Sequence, residues 1–257
     1  MSGSKSLAEP RDVRYIYDGS LVGFYCCVYE SVYSREIPMD ILTEDKAQPT
    51  LLRQKVIIAD KARAQKVRAS IPIKVSSRAL ELVETVYLSC LKDKELAMLR
   101  FLLIAYREGA KVTDMMGHPD VHAMLKAEKH LLGENHLLLG FIRFADYGGM
   151  LAATITPKNF VLPFLANHFI SRYSEENFII YDKAHRAALV YQDRQQRIIP
   201  VDELVLDTPP KDELRYQSLW KQFYETIAIK ERINYKLRRS LMPKRYWENV
   251  PEVSELA

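Results

Sequence analysis

Five charged or amide side chains stand where they could do chemistry. Asp182 and Arg186 flank the turn in the stretch IIYDKAHR. Lys230 and Asn234 stand about one helical turn apart on the apolar side of a predicted helix, where an unpaired charge is costly to bury. Together with Arg143, these residues would form a charged catalytic site if they converge in one cleft. The alternatives are a solvated turn, a lysine that extends to solvent and a structural ion pair.

A second set of residues suits phosphate contact better than catalysis. On a helical wheel over the last predicted helix, one face carries the basic residues Lys221, Arg232, Lys236 and Arg239. A basic ridge of this kind can follow the phosphates of a nucleic acid. The chain beyond this helix adds Lys244, Arg245, Tyr246 and Trp247, whose aromatic rings could stack on an exposed base. The sequence therefore predicts nucleic-acid binding by these eight residues, with a plain solvated face as the alternative.

Motifs for metals and cofactors are not evident in the sequence. His118 and His122 have a spacing that can share a metal on a helix, but His118 precedes the predicted helix and no third ligand is evident. The three cysteines, Cys26, Cys27 and Cys90, form no CxxC pattern, and we expect them to be buried apolar residues. There is no GxGxxG and no phosphate-binding GxxxxGK[ST] motif. We predict neither a metal site nor a cofactor.

Composition and charge favour a globular protein with an acidic partner. The chain has 257 residues, of which 48% are hydrophobic and 27% charged, and it has no run of apolar residues long enough to cross a membrane. Its polar start lacks the apolar core of a signal peptide, so we expect a cytoplasmic protein. Net charge is only +4. However, residues 53–74 and 226–246 each hold seven basic residues against one acid, which favours a polyanion as partner.

The elements of the first half are predicted to be mainly helical. Residues 1–12 are expected to be disordered, and a short strand follows at 13–18. Ser20 is predicted to cap a buried helix, and Pro38 and Pro49 bracket a loop. Apolar residues recur at three and four over 76–107, which predicts a helix pair, and another helix should run from Pro119 to about Leu131. The helical part therefore extends over about 13–135.

The second half changes to a strand period. LLLGFIRFADYGGMLAATITP predicts two strands around a turn, a helix follows over about 159–174, and two more strands flank residues 183–185. A last long helix is predicted from Asp212 to about Arg239, ended by Met242-Pro243. Its apolar face should pack on the core, and it carries Leu219, Trp220, Phe223, Ile227, Ile233, Leu237 and Leu241. The predicted fold is α+β: a single domain over 13–252, with a small antiparallel sheet in strand-strand-helix-strand-strand order over about 136–252.

Four stretches carry a resemblance to a known family. They are YIYDGSLVGFYCCVYE near the start, FIRFAD at 141–146, FIIYDKAHRAALVY at 178–191, and IKERINYKLRRSLMPKRYWENVPE at the end. The chain resembles the bacterial DUF4130 family over nearly its whole length, most specifically in YDGS and MPKRYW. Members of that family are described as probable DNA metabolism proteins. Some are joined to a uracil-DNA-glycosylase-like domain, which we expect to be missing because the chain ends at Ala257, soon after MPKRYW.

The resemblance implies a role in DNA repair or modification beside a radical SAM protein of the spore-photoproduct-lyase type, and it carries over no catalytic residues. Three hypotheses follow. In the first, the protein is a nucleic-acid-binding accessory protein that presents DNA to a partner enzyme. In the second, it is an enzyme that acts on a nucleobase or nucleotide in a charged cleft. In the third, it is an interaction module whose basic ridge meets an acidic protein surface.

Overall fold

The chain divides into two units, with the boundary between Leu131 and Leu132. The sequence predicts a single domain over 13–252 whose helical part ends at about residue 135. The computed structural model describes residues 9–206, 208–227 and 234–253. Within these ranges it leaves out the side chains of Glu225, Tyr235, Arg238 and Arg239. Helices and strands occur in both units, so the predicted α+β class is confirmed. None of the helices in these ranges combines the length and apolar character needed to cross a membrane.

A parallel sheet of three strands organises the first unit, in the order β2-β1-β3. Its strands are β1 (Glu9–Tyr17), β2 (Glu36–Thr43) and β3 (Arg53–Val56). The predicted disorder up to residue 12 is wrong for residues 9–12, because backbone pairing with β2 orders them although their side chains are exposed. The loop predicted from Pro38 is wrong up to Thr43, since β2 is an edge strand and an edge strand tolerates proline.

Helices surround the core of the first unit. They are α1 (Leu21–Ser34), α2 (Lys61–Lys74), α3 (Ser77–Tyr87) and α4 (Lys94–Glu108). A fifth helix, α5 (Pro119–Phe141), begins in the first unit and ends in the second. The predicted helix pair corresponds to α3 and α4. Cys26 and Cys27 are buried as predicted, whereas Cys90 is exposed because it lies in the connection between that pair of helices.

The YDGS motif is built as a helix start. The Asp18 Oδ1 atom accepts hydrogen bonds from the Ser20 backbone N–H at 3.0 Å and from its hydroxyl at 2.8 Å. Ser20 Oγ in turn accepts from the Gly23 N–H at 2.9 Å, which confirms Ser20 as the predicted cap. A Cβ atom on Gly23 would lie 2.1 Å from Asp18 Oδ1, so only glycine lets the carboxylate approach this closely. The motif therefore has a structural role.

A mixed sheet of five strands organises the second unit, in the order β4-β5-β6-β7-β8. The strands are β4 (Ala145–Asp146), β5 (Met150–Ile155), β6 (Asn177–Asp182), β7 (Ala187–Gln192) and β8 (Gln195–Pro200). Helix α6 (Leu162–Arg172) joins β5 to β6, and these two strands are parallel, since a helical crossover returns the chain in the same direction. The other three pairings are antiparallel, as predicted.

The strand predicted over 137–144 is wrong, because α5 continues to Phe141. Short apolar runs do not distinguish a strand from a buried helix. Here the buried residues are Leu131, Leu138 and Ile142, whose spacings of seven and four place them on one helix face. The first strand of the predicted hairpin is thereby reduced to β4.

The prediction of a single long helix near the end of the chain is also wrong. The described parts are α7 (Lys211–Ile227), α8 (Tyr235–Leu241) and a 3-10 helix (Lys244–Asn249). Asn234 is not helical, and its Oδ1 accepts a hydrogen bond from the Leu237 N–H at 2.9 Å, so it caps the start of α8. The helical segment ends at Leu241, before Met242-Pro243, as predicted.

The apolar face of this segment does not pack on a core. Its described members are 43–58% exposed and are Leu219, Trp220, Phe223, Ile227, Leu237 and Leu241, while Ile233 lies outside the described residues. The prediction of a buried face is therefore wrong. An amphipathic pattern marks the face that avoids water, and it does not specify what covers that face.

Candidate functional site

A cleft of about 1150 Å³ in the second unit is the candidate site. Its lining comes from the residues that follow α5, from β4 and β5, from the end of α6, from α7 and from the C-terminal segment. Six aromatic side chains are in this lining: Phe144, Tyr147, Tyr173, Tyr216, Trp220 and Phe223. Three basic residues of the lining are Arg143, Arg172 and Lys221. Flat apolar rings next to cations can hold a planar anionic ligand.

Packing in the second unit fixes some of the cleft's rings and leaves others exposed. The Phe144 ring meets the rings of Phe169, Tyr173 and Phe178 edge-on, with centroids 5.2–5.9 Å apart. On α7, the Trp220 and Phe223 centroids lie 5.8 Å apart, and these side chains are 43% and 52% exposed. The cleft therefore combines an anchored aromatic wall with rings that have solvent-accessible faces.

The basic residues of the cleft differ in how they are engaged. Arg143 donates from Nε and Nη2 to Glu252 Oε1 at 3.1 and 2.7 Å, and from Nη1 to the Gly140 carbonyl at 2.8 Å. This arginine is therefore held in place by the protein itself. Arg172 is exposed, and its guanidinium lies 5.8 Å from the Tyr173 ring centroid. Because Arg172 pairs with no acid among the described residues, its charge is available to a ligand.

The acidic residues of the cleft already have partners. Glu213 accepts hydrogen bonds from the Asp146 N–H at 3.1 Å and from the Gln217 amide at 2.8 Å. Glu248 pairs with Lys183 at 3.5 Å. The charge of Glu248 is therefore partly offset by a cation, whereas Glu213 is hydrogen-bonded by neutral donors and keeps its charge.

A buried carboxylate fixes the segment that follows α8. Glu134 on α5 accepts hydrogen bonds from the backbone N–H groups of Lys158 and Asn159, at 3.0 and 2.8 Å. It also accepts from the Tyr246 hydroxyl at 2.7 Å and from the Arg245 guanidinium. Burial alone would raise the pKa of Glu134, but these hydrogen bonds outweigh burial and lower the pKa to about 2. This glutamate is therefore the anchor of the MPKRYW ending.

Three residues of the predicted nucleic-acid-binding set belong to this anchor. Tyr246 and Trp247 are each 2% exposed, so neither ring is available to stack on a base. The Trp247 Nε1–H donates to the Met242 carbonyl at 3.1 Å, and its ring packs with Val250. The prediction that Tyr246 and Trp247 stack on a base is wrong, because the core requires their rings. Arg245 donates to Glu134, but its side chain is 31% exposed, so its contact with nucleic acid stays a prediction.

The rest of the predicted basic ridge is only partly described. Lys236 and Lys244 are exposed, and the Lys244 ammonium lies 5.8 Å from the centroid of the Trp247 ring. Lys221 is in the lining of the cleft. Arg232 and the side chain of Arg239 lie outside the described residues. Phosphate contact therefore stays a prediction for Lys221, Lys236 and Lys244.

The Asp182 turn is a compact structural arrangement. The Asp182 carboxylate is buried, and its Oδ1 accepts from the N–H groups of Ala184 and His185 at 3.0 and 3.1 Å. Its Oδ2 lies 2.7 Å from His185 Nδ1. Arg186 adopts a positive φ of 51° and points to the exposed Asp202 at 3.8 Å. This carboxylate orients the imidazole and shapes the turn between β6 and β7.

The five predicted catalytic residues do not assemble among the described residues. Arg143 binds Glu252, Asp182 binds its own turn, and Asn234 is exposed and caps α8. Arg186 is exposed, and Lys230 lies outside the described residues. No contact joins any two of the four that are described. Each of the four has local contacts of its own, and a catalytic role for them stays a prediction.

In the described part of the chain, no three His, Cys, Asp or Glu side chains are grouped so that they could hold a metal ion. A family model for a domain of unknown function, DUF4130, matches residues 92–252. The chain belongs to the DUF4130 family. No curated protein and no solved structure gave a significant match. The DUF4130 region includes the cleft, the Glu134 anchor and α8, whereas the YDGS motif lies outside it.

Several cleft residues of this DUF4130 protein were missed from the sequence. They are Tyr147, Arg172, Tyr173, Tyr216 and Asn249. One available signal was the spacing of Tyr216, Trp220 and Phe223 by four and three, which places the three rings on one face of α7. The other residues come from separate elements, and only the folded sheet brings them to one cleft.

Proposed function

We propose that the cleft of the second unit binds single-stranded or locally unpaired nucleic acid, and that the protein is a cytoplasmic accessory protein in bacterial DNA repair or modification. The observation that carries the proposal is the pair of exposed rings, Trp220 and Phe223, in a cleft that also contains Arg172 and Lys221. Rings of this kind stack on bases regardless of sequence, and cations beside them bind the phosphates.

The magnitude of stacking makes the proposal testable. Stacking of one base on an aromatic side chain contributes about 1–3 kcal/mol, so loss of the Trp220 ring should weaken binding roughly 5- to 150-fold. In double-stranded DNA the base faces are covered by their neighbours. A duplex should therefore bind the cleft more weakly than a single strand of the same length.

The biological setting of the proposal has a different basis. The link to DNA repair and to a radical SAM partner is supported by the family resemblance of the sequence motifs. The preference for unpaired strands is supported by the geometry of the cleft.

The test is fluorescence anisotropy with a labelled oligo-dT of about 15 nucleotides, a length within the range of known single-strand sites. Trp220→Ala should lose affinity by the factor given above, and the affinity of the wild type should fall as salt is added. Leu214→Ala is the matched control, because Leu214 is on the same helix and 45% exposed but does not line the cleft. Absence of binding at low salt, or equal losses in the two variants, would contradict the proposal.

The exposed apolar side of α8 favours a second role, as a docking surface for a protein partner. Leu237 and Leu241 are 54% and 58% exposed and do not line the cleft. Substitution of both by serine should abolish nuclease-resistant binding to the radical SAM partner while leaving oligo-dT affinity unchanged. Unchanged partner binding by this double variant would exclude the role.

A further inference from the structure

A side-chain amide without a hydrogen-bond partner lies at the cleft. Asn249 is part of the cleft lining, and its Nδ2 atom is buried with no acceptor among the described residues. Buried amide donors nearly always have an acceptor, since burial without one costs free energy. The amide has no acceptor to lose when the Asn249 side chain turns into the cleft, so it can donate there to a ligand atom that accepts a hydrogen bond.

The surrounding structure holds Asn249 in a fixed position. It is the last residue of the 3-10 helix that contains Tyr246 and Trp247, both of which are buried. The next residue, Val250, is 1% exposed, and its N–H donates to the Trp247 carbonyl at 3.1 Å. The Asn249 backbone is therefore fixed on both sides, so its amide can select a ligand by hydrogen-bond geometry.

The neighbouring ion pair completes this end of the cleft. Glu252, whose side chain is 4% exposed, accepts two hydrogen bonds from Arg143 on Oε1. The pair ties the chain beyond Asn249 to the end of α5. Arg143 is thus a positioning residue, and the amide of Asn249 is the group left for recognition.

We propose that Asn249 reads the edge of one unpaired base by donating a hydrogen bond to the O4 carbonyl oxygen of a thymine or uracil. This proposal rests on the proposed function, since the aromatic rings are taken to hold the face of the same base. Thymine and uracil present a carbonyl oxygen at position 4, whereas cytosine, which shares the O2 carbonyl, presents an amino donor at position 4. The cleft should therefore prefer oligo-dT to oligo-dC.

The first experiment replaces the donor by an acceptor. Asn249→Asp preserves size, repels a carbonyl and accepts from the cytosine amino group. The affinity ratio of oligo-dT to oligo-dC should fall roughly 10-fold or more relative to the wild type. The added negative charge weakens both strands alike, so the ratio isolates recognition. A ratio equal to that of the wild type overturns the proposal.

The second experiment leaves the protein unchanged and therefore does not depend on the folding of a variant. An oligonucleotide is prepared with a nonpolar thymine isostere, in which fluorine replaces both carbonyl oxygens. Its affinity for the wild type should be roughly 10-fold lower than that of oligo-dT, because the shape is kept and the acceptors are weakened. Equal affinity overturns the base-reading proposal but leaves strand binding intact, whereas failure of oligo-dT itself to bind overturns the proposed function.

Discussion

Replacement of the buried Glu134 by glutamine is expected to destabilise the second unit. The side chain of Glu134 is 3% exposed, and its pKa of about 2 lies below its ordinary value of 4.5. Because one pKa unit corresponds to about 1.4 kcal/mol, the charged form contributes about 3 kcal/mol to folding. Glutamine also directs an amide donor at the N–H groups of Lys158 and Asn159. We expect a loss of about 3 kcal/mol in the free energy of unfolding.

The assay is urea unfolding followed by tryptophan fluorescence, since both tryptophans of the chain, Trp220 and Trp247, are in the second unit. Because the pKa of Glu134 is lower in the folded state than in the unfolded state, its contribution to stability is complete above the unfolded-state pKa. That contribution is lost as the pH falls towards the folded-state pKa. The wild type should therefore lose stability between about pH 4.5 and 2, and Glu134→Gln should lose less over that range.

A matched control separates this effect from general acid sensitivity. Glu175 is 73% exposed and pairs with Arg194, so Glu175→Gln should cost less than about 1 kcal/mol and retain the wild-type pH dependence. The reasoning is refuted if Glu134→Gln costs no more than this control, or if its stability has the same pH dependence as the wild type.

Three further predictions concern other parts of the molecule. Gly23→Ala should cost the first unit about 1 kcal/mol or more of stability and lower its melting temperature, because the added Cβ would displace the Asp18 carboxylate. An unchanged melting temperature would contradict this prediction. Asp182→Asn should speed amide hydrogen exchange in β6 and β7 by a local loss of about 1–3 kcal/mol, and unaltered protection would count against the role of this carboxylate in the turn. Arg172→Gln should reduce the slope of log affinity for oligo-dT against log salt concentration by about 0.7. Arg194→Gln, which lies away from the cleft, should leave that slope unchanged. Equal slopes for the two variants would show that Arg172 does not bind phosphate.

Local signals in the sequence predicted local structure well. The Ser20 cap, the helix pair that contains α3 and α4 and the hairpin of β6 and β7 each depend on residues close together in the chain. Caps, turns and periodicity act over a few residues, so a single sequence contains them. The order of β4, β5, α6, β6 and β7 could be predicted for the same reason.

Long-range partners were not accessible from the sequence. The sequence predicts that Arg245 belongs to a basic surface, but its guanidinium donates to a carboxylate 111 residues earlier, in α5. The apolar side of α7 predicted a buried face, yet Trp220 and Phe223 are exposed at the cleft. In both cases the chemical character of the residue was evident, and the identity of its partner depended on how the second unit folds.

The central claim is that a base stacks on Trp220, and quenching of tryptophan fluorescence by oligo-dT tests it most directly. Trp247 is 2% exposed, so a bound strand should quench mainly the emission of Trp220. The account predicts saturable quenching in the wild type. It also predicts that Trp220→Phe, which keeps an aromatic ring, binds the strand by anisotropy without that quenching. Binding without quenching in the wild type, or equal quenching in Trp220→Phe, would contradict the claim.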